Sequence, residues 1–183
     1  MSVENVSALP IALVGMMGAG KTSVGRRLAE RLHRDFVDAD RELEARCGVP
    51  VATIFELETE DGFRRREAAL IDELTRRGRV VLATGGGAVT RPENRQALRE
   101  RTFVIYLRTT AHEVWLRTRR DRGRPLLQTA NPRARIAELI AARDPLYRQA
   151  AHLTIDTGRQ PIEHVVNAII ARMPAVLREP PAG

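Results

Sequence analysis

The sequence predicts an α/β fold in three layers, with a parallel sheet of about five strands between two layers of helices. Short apolar runs recur along the chain and alternate with longer amphipathic stretches. Apolar runs of this kind are typical of parallel strands that are buried on both faces. Polar or glycine-rich motifs follow three of these runs, at the edge of the sheet where such folds bind their ligands.

The first half of the chain supplies three of the strands. IALV, residues 11–14, is a short apolar strand, and GKTSVGRRLAERL is a helix with Val24, Leu28 and Leu32 on one face. FVDAD contains the end of the second strand. RELEARC and VATIFELETEDGFRRREAALIDELTRR are predicted helices. VVLATGGG is the third strand, which ends in a glycine turn.

The second half of the chain completes the alternation. PENRQALRE is a helix with Pro92 at its start, TFVIYL is a strand and HEVWLRTRR is a helix. The glycine and prolines of RDRGRPLLQTANP predict a loop. RARIAELIAARDPLYRQA is mostly helix, HLTID is the fifth strand and IEHVVNAIIARM is the last helix. We predict a single domain over residues 1–183, with its core at about 11–172 and a flexible tail at 173–183.

Length and composition restrict the class of protein. A chain of 183 residues can bury one sizeable core. Cys47 is the single cysteine, so no intrachain disulfide can form, which fits a reducing compartment. No apolar run approaches the length of a membrane span, and the amino-terminal residues lack the basic cluster of a signal peptide. We therefore expect a cytoplasmic protein that does not bind membranes.

The formal net charge of +7 allows three interpretations. Basic residues could bind a nucleic acid, could surround a pocket for small anions, or could be solvated side chains in an arginine-rich composition. Aromatic residues make up only 4% of the chain, which leaves little for base stacking. We expect small anionic substrates and no nucleic-acid partner.

GMMGAGKT, residues 15–22, matches the phosphate-loop pattern G-x-x-x-x-G-K-S/T. Glycines let consecutive backbone N–H groups face one anion, and the following helix adds its positive end. In this pattern the lysine reaches the β- and γ-phosphates and the Thr22 hydroxyl can bind Mg²⁺. Lys21 is the only lysine among 30 Lys and Arg residues. A compact ammonium fits a tight loop better than the wide planar fork of arginine. The loop therefore predicts binding of a nucleoside triphosphate.

Carboxylates follow the second predicted strand. Asp38 and Asp40 alternate in FVDAD and so share a face of the strand. Near a phosphate loop, such a pair suits a hydrated Mg²⁺ and a substrate hydroxyl. The alternative is that Asp40 caps the helix that begins with RELEARC.

Two further motifs could contact an acceptor. FRRRE carries Arg64, Arg65, Arg66 and Glu67 on a helix, where only some of them can face one pocket and the others would form a solvated face. The three glycines of TGGGAVT, residues 85–87, allow very close approach of the backbone to a ligand.

The segment RTRRDRGRPLL is rich in arginine and is interrupted by glycine and proline. It predicts a mobile lid that brings positive charge over phosphates. An exposed loop or a nucleic-acid-binding arm would have the same composition. Its arginines are Arg117, Arg119, Arg120, Arg122 and Arg124.

Together these motifs resemble those of the shikimate kinase family. GMMGAGKT, FVDAD, the F-R-x-x-E pattern, GGGAV, RTRRDRGRPLL and the PLYR of residues 145–148 occur in that family's order and at similar spacing. The resemblance covers about residues 11–172, and no motif position departs from it. The phosphate loop alone is common to many ATPases and GTPases, whereas the combination is far more specific.

The resemblance implies a P-loop kinase fold with a mobile lid, and a monomer that phosphorylates shikimate with ATP and Mg²⁺. The product, shikimate 3-phosphate, belongs to chorismate and aromatic amino-acid biosynthesis. Lys21, Asp40 and Arg124 would be catalytic. Thr22 would bind Mg²⁺ directly and Asp38 through water.

The same resemblance implies two sets of binding residues. The shikimate side would consist of Asp40, Arg64, Gly86 and Arg148, with Glu67 orienting Arg64. The ATP side would consist of Gly15, Gly18, Ala19, Gly20, Lys21, Thr22, Ser23, Arg117, Arg124 and Arg159, with Arg117 stacked on the adenine.

Three other functions account for parts of the pattern. A gluconate or nucleoside monophosphate kinase would share the phosphate loop but not F-R-x-x-E and GGGAV. An ATPase stimulated by RNA or DNA would use the positive charge, but the chain has no second nucleic-acid module. A non-catalytic binding protein would not need Lys21, Asp38, Asp40 and Arg124 together.

Overall fold

The computed structural model describes residues 7–119 and 125–178 of the chain. Within these ranges five strands form one sheet in the order β2–β3–β1–β4–β5, and every neighbouring pair is parallel. The predicted α/β fold with a five-stranded parallel sheet is therefore confirmed. The strands are β1 Ile11–Val14, β2 Asp35–Asp38, β3 Val80–Ala83, β4 Phe103–Arg108 and β5 Leu153–Asp156.

Helices connect the strands and cover both faces of the sheet. In the described part of the chain they are α1 Lys21–Leu32, α2 Ala39–Cys47, α3 Val51–Leu74, α4 Pro92–Arg101, α5 Ala111–Thr118, α6 Pro132–Ala150 and α7 Ile162–Arg172. Short 3₁₀ turns lie at Ala88–Thr90, Pro125–Leu127 and Ala175–Leu177. Among these described helices, none combines the length and the apolar character needed to cross a membrane.

Alternate residues of the central strands pack into two separate cores. In β1, Ala12 and Val14 join a first core with side chains of α2 to α6, whereas Ile11 and Leu13 join a second core with side chains of α1 and α7. All four side chains are fully buried. The alternation follows from the two-residue repeat of a strand, and it produces the expected arrangement of three layers.

Three adjacent strands bring the polar motifs to one edge of the sheet. In the register of the sheet, Ala83 is aligned with Leu13 of β1 and with Asp38 of β2. The phosphate loop follows β1, Asp38 ends β2, and Thr84 and the glycine turn follow β3. The carboxyl ends of β1, β2 and β3 therefore place the three motifs side by side.

Helix α3 differs from the continuous helix predicted for this segment. Thr59 has φ 63° and ψ 174°, which interrupts the helix. This conformation is strained for a β-branched residue. The rings of Phe55 and Phe63 stack across the break with centroids 4.4 Å apart. The break thus bends α3 so that the aromatic side chains of its two parts are in contact.

Residues 173–178, which are predicted from the sequence to belong to a flexible tail at 173–183, are packed against the domain. Met173 and Leu177 are 2% and 1% exposed and belong to the second core. Apolar burial therefore holds residues 173–178 against the domain. Residues 179–183 lie outside the described residues.

Arg34 joins two distant segments at the amino edge of the sheet. Its guanidinium donates to the carbonyl oxygens of Leu9 at 2.7 Å, Ser7 at 2.8 Å and Leu177 at 3.1 Å. Burial, together with the nearby charge of Arg79, lowers the pKa of Arg34 to about 10. The group still carries its charge at neutral pH, and it ties the segment before β1 to the segment after α7.

His152, just before β5, is expected to make the stability of this sheet edge depend on pH. Its Nδ1 accepts a hydrogen bond from the backbone N–H of Val104 at 3.0 Å, which requires neutral imidazole. Partial burial and the charge of Arg99 lower the pKa of His152. The stabilisation is therefore complete above the unfolded-state pKa of about 6.5 and is lost as pH falls through the lower folded-state value.

The matched variant for this prediction is His152→Asn, whose amide oxygen can accept the same hydrogen bond but does not titrate. Urea unfolding between about pH 5 and about pH 7.5, a range that brackets the ordinary histidine pKa, measures the difference. The free energy of unfolding of the parent should fall more steeply towards acid than that of the variant. Equal slopes would contradict the role given to His152.

Candidate active site

The phosphate loop wraps between β1 and α1. Gly15, Gly18 and Gly20 have φ of 143°, 73° and 95°, values that residues with side chains rarely adopt. A Cβ at Gly15 would lie 2.5 Å from the carbonyl oxygen of Leu107. Helix α1 begins at Lys21 without a side-chain cap. Loop and helix together form an anion site of backbone N–H groups.

Lys21 lies against the loop to which it belongs. Its ammonium donates to the carbonyl oxygens of Gly15 at 2.7 Å and Met16 at 2.9 Å. The side chain is 9% exposed, and it lines a cavity with Thr22 and Ser23. We refer to this cavity, which the phosphate loop borders, as the phosphate cavity. The only ammonium side chain of the protein is thus held where a phosphate would bind.

Thr22 and Asp38 meet beside Lys21. Thr22 Oγ1 donates to Asp38 Oδ2 at 2.6 Å, and both residues line the phosphate cavity. Asp38 Oδ1 also accepts the backbone N–H of Arg41 at 3.3 Å and caps α2. The helix-cap interpretation considered for Asp40 therefore applies to Asp38 instead. Asp40 lies in the first turn of α2.

A second cleft adjoins the phosphate loop on its outer side. It is lined by Gly18, Ala19, Gly20, Ser23, Val24, Arg117, Thr157, Gln160, Ile162 and Val165. Arg117 crosses its entrance and donates to the carbonyl oxygens of Gly18, at 2.8 Å, and Gly158. Arg159 is exposed and does not line this cleft. Apolar side chains from α1 and α7 give the cleft the character of a base-binding site.

A third cavity lies on the other side of the glycine turn, between α2, α3 and α6, and we call it the acceptor cavity. Asp40, Glu44, Arg64, Glu67 and Arg143 supply its charged groups. Its apolar walls come from Met17, Val51, Phe55, Phe63 and Leu126. Such a mixture suits a small ring that carries hydroxyl groups and a negative charge.

Charged side chains pack closely against the glycine turn, at positions where a Cβ would clash with them. A Cβ at Gly85 would lie 2.5 Å from Glu67 Oε1 and 2.9 Å from Asp40 Oδ1. A Cβ at Gly87 would overlap the guanidinium of Arg64. Each of these glycines therefore leaves room for a charged side chain of the acceptor cavity.

Arg64 and Glu67 form a buried ion pair in the wall of the acceptor cavity. Arg64 Nη1 donates to Glu67 Oε2 at 2.7 Å, and the two residues are 7% and 2% exposed. Burial raises the pKa of Glu67, and the charge of Arg64 opposes that rise. Glu67 Oε1 is buried and has no hydrogen-bond partner among the residues that the structure describes. Glu67 thus fixes Arg64 in the orientation that the cavity requires.

Asp40 is open to solvent through the cavities that it lines. Protein atoms surround its carboxylate on the other sides. This desolvation, with the charge of Asp38, raises the pKa of Asp40, while Lys21 opposes the rise. The carboxylate is held between the phosphate and acceptor cavities.

Arg148 lies at the surface and not in the acceptor cavity, where the sequence pattern placed it. Its side chain is 51% exposed, does not line the acceptor cavity, and donates to Asp144 Oδ2 at 2.6 Å. Arg143, one and a half turns earlier in α6, is 6% exposed and lines the cavity. Its Nη1 lies 3.4 Å from the carbonyl oxygen of Gly86. The second guanidinium of the acceptor cavity is therefore that of Arg143.

The predicted lid falls largely outside the described residues. Arg120, Arg122 and Arg124 belong to the undescribed part of the chain. Arg117 precedes it and contacts the phosphate loop. Leu126 follows it and lines the acceptor cavity, so the described residues on the two sides of the segment line different cavities.

Comparison with known protein families agrees with this geometry. The family model described as "Shikimate kinase" matches residues 17–174, which include α1, the acidic pair, the glycine turn and α6. The chain belongs to the shikimate kinase family.

Curated shikimate kinases are close in sequence over most of the chain. The shikimate kinase of Bordetella pertussis is 60% identical over 167 residues, which cover 91% of this chain and 79% of the relative. The shikimate kinase of Ralstonia nicotianae is 59% identical over 173 residues, which cover 94% of this chain and 88% of the relative.

A solved shikimate kinase is similar in structure as well. The enzyme from Acinetobacter baumannii, in complex with shikimate, superimposes with a TM-score of 0.87 at 48% identity. The match covers 89% of this chain and 91% of that chain. This member of the shikimate kinase family therefore has the architecture of a relative that binds shikimate.

Sequence reasoning missed several residues of this shikimate kinase family site. Arg143 and Tyr147 lie four residues apart on the buried face of α6, with Ile136, Leu139 and Ala150. An arginine within the apolar face of a helix was the available signal for Arg143. Thr157 and Gln160 line the second cleft, beside the phosphate loop, but belong to no sequence motif that would have indicated this position.

Proposed function

We propose that this chain transfers the γ-phosphoryl group of ATP to a hydroxyl group of shikimate, giving ADP and shikimate 3-phosphate. The observation that carries the proposal is the pair of cavities that meet at Met17, Asp40 and Gly86. One cavity has a phosphate loop, and the other has two buried guanidinium groups together with the carboxylates of Asp40, Glu44 and Glu67. Donor and acceptor would therefore be bound side by side, as phosphoryl transfer requires.

The nucleotide side follows from the phosphate loop. The loop and the first turn of α1, with Ser23, would hold the β- and γ-phosphates. Lys21 would leave its carbonyl partners, Gly15 and Met16, to neutralise the transferring group. The base would enter the cleft between α1 and α7, where the planar guanidinium of Arg117 can stack on it.

The residues present also fit Mg²⁺. Thr22 Oγ1 and Asp38 Oδ2 lie 2.6 Å apart in the phosphate cavity and are hard oxygen donors. Mg²⁺ is usually bound by one or two such side chains, water and substrate phosphates. Thr22 would hold the ion directly and Asp38 through water, and the ion would supply positive charge to the phosphates.

Arg64 and Arg143 would bind the shikimate carboxylate from two sides. Each guanidinium can offer two parallel N–H donors to a carboxylate. Glu67 holds Arg64, and Gly86 O lies beside Arg143. In this proposal Arg143 takes the place that the sequence pattern suggested for Arg148. The backbone of Gly86 completes the binding of the carboxylate.

Asp40 would bind the acceptor hydroxyl and receive its proton during transfer. Its carboxylate lines both cavities, so a hydroxyl bound to it faces the γ-phosphate. A carboxylate in this position is the usual proton acceptor of kinases. The catalytic role of Arg124 and closure of the lid stay predictions, as do the cytoplasmic location, the monomeric state and the ATP contact of Arg159.

Release of ADP from ATP and Mg²⁺ in the presence of alternative acceptors tests the proposed function. Turnover is expected with shikimate and not with gluconate, AMP or poly-U. Turnover with gluconate or AMP instead would retain the phosphate loop but overturn the assignment of Asp40, Arg64 and Arg143. Stimulation by poly-U that weakens steeply with salt would indicate a nucleic-acid-dependent ATPase.

A further inference from the structure

Gly86 is the point at which the phosphate and acceptor cavities meet. Its backbone lines both of them, and a Cβ at this position would lie 3.2 Å from the backbone nitrogen of Met17. The phosphate loop therefore confines the Gly86 peptide on one side. The orientation of this peptide sets where an acceptor can rest relative to the phosphate loop.

On its other side the Gly86 peptide is held by a buried tyrosine. Tyr147 Oη donates to the carbonyl oxygen of Gly86 at 2.5 Å. Tyr147 is 1% exposed, and its ring stacks on that of Tyr106 with centroids 4.9 Å apart. Burial raises the pKa of Tyr147, so the hydroxyl keeps the proton that it donates to the carbonyl, and its oxygen accepts a hydrogen bond from Arg143. A rigid side chain thus carries the donor.

Arg143 competes for the same carbonyl. Its Nη1 approaches Gly86 O at 3.4 Å, a longer distance than that of the Tyr147 hydroxyl. While Tyr147 satisfies the carbonyl and holds Arg143 through its hydroxyl oxygen, the remaining donors of Arg143 can be directed at an acceptor carboxylate. Without the hydroxyl, Arg143 would be drawn to the carbonyl, because a buried acceptor without a donor is costly.

We propose that Tyr147 is a positioning residue for the acceptor: its hydroxyl fixes the Gly86 peptide and thereby keeps Arg143 available to the substrate carboxylate. Tyr147 does not line the acceptor cavity and does not need to touch the substrate. The inference rests on the assignment of the acceptor cavity under the proposed function.

Tyr147→Phe tests the proposal, since it removes the hydroxyl and keeps the stacked ring. The KM for shikimate should rise about tenfold, while the KM for ATP stays within about twofold, because the phosphate loop is untouched. Loss of folded enzyme alone would lower kcat for every substrate and leave both KM values unchanged.

Tyr106→Phe is the matched control. Tyr106 is buried in the same stack, and its hydroxyl donates to Asp144 Oδ1 at 2.8 Å, away from Gly86. This variant should keep both KM values of the parent. An unchanged KM for shikimate in Tyr147→Phe, or an equal rise in both variants, would overturn the role of Tyr147. A parent without activity on shikimate would instead overturn the proposed function.

A second measurement does not require Tyr147→Phe to fold. The chain has two tyrosines, so in Tyr106→Phe a carbon-13 label on the tyrosine ring reports on Tyr147 alone. The label signal should shift when shikimate is added and should respond much less to ADP. A signal that does not respond to shikimate would contradict the coupling of Tyr147 to the acceptor cavity.

Discussion

Replacement of Lys21 by methionine is expected to abolish phosphoryl transfer while the chain stays folded. Methionine keeps a long apolar stem but removes the ammonium that faces the phosphate cavity. Removal of one donor to a developing negative charge commonly costs about 10²–10³-fold in kcat. The loss here should be at least on the order of 10³-fold, because a full charge is removed. Steady-state release of ADP measures it.

Two controls accompany Lys21→Met. Calorimetric binding of shikimate should be close to that of the parent, because Lys21 does not line the acceptor cavity. Lys21→Arg keeps the charge and should still lose most of the activity, since the wide planar fork fits a tight phosphate loop less well than a compact ammonium does. Near-normal turnover in Lys21→Met would remove the residue from the transfer step.

Arg143→Ala is expected to raise the KM for shikimate on the order of 100-fold, because it removes a buried charge that the substrate carboxylate would pair with. Arg143 is 6% exposed and lines the acceptor cavity, so its truncation leaves Arg64 as the one arginine among the described residues that line this cavity. The KM for ATP should change little. Kinetics with each substrate varied in turn provide the measurement.

Arg148→Ala is the matched control for this prediction. Both substitutions remove one arginine from α6, but Arg148 is half exposed and pairs with Asp144 at the surface. Exposed ion pairs contribute about 0–1 kcal/mol, so neither stability nor the KM for shikimate should change much. A large rise in KM in Arg148→Ala, with little effect of Arg143→Ala, would restore the assignment that the sequence pattern suggested.

Sequence reasoning could not determine whether Arg143 or Arg148 faces the acceptor cavity. A residue of an α-helix is rotated by about 100° from its neighbour, so positions five apart differ by roughly 140°. Arg143 and Arg148 therefore point to nearly opposite sides of α6. The order of motifs correctly predicted that α6 contributes an arginine to the acceptor cavity. Which arginine faces the cavity depends on the rotation of α6 about its axis, and that rotation is set by packing of Ile136, Leu139 and Tyr147 against the first core.

The features that could be predicted from the sequence are those determined by residues close together in the chain. The apolar strands, the phosphate loop and the acidic pair each follow from residues close together in the chain, and the sheet order brings them to one edge. The break at Thr59 could not be predicted in this way, because a β-branched residue with φ 63° is held by tertiary contacts against its own preference. Packing of residues 173–178 likewise depends on the distant Arg34.

The contacts of Arg34 indicate that this chain could be circularly permuted. Ser7 and Leu177 both offer a carbonyl oxygen to one guanidinium nitrogen, so the two segments touch although they are far apart in sequence. A short peptide could join them, and new termini could be opened in an exposed turn such as residues 76–78 without moving the site. The spatial arrangement of the cavities would then survive in a circularly permuted gene, because it depends on the sheet and not on where the chain begins.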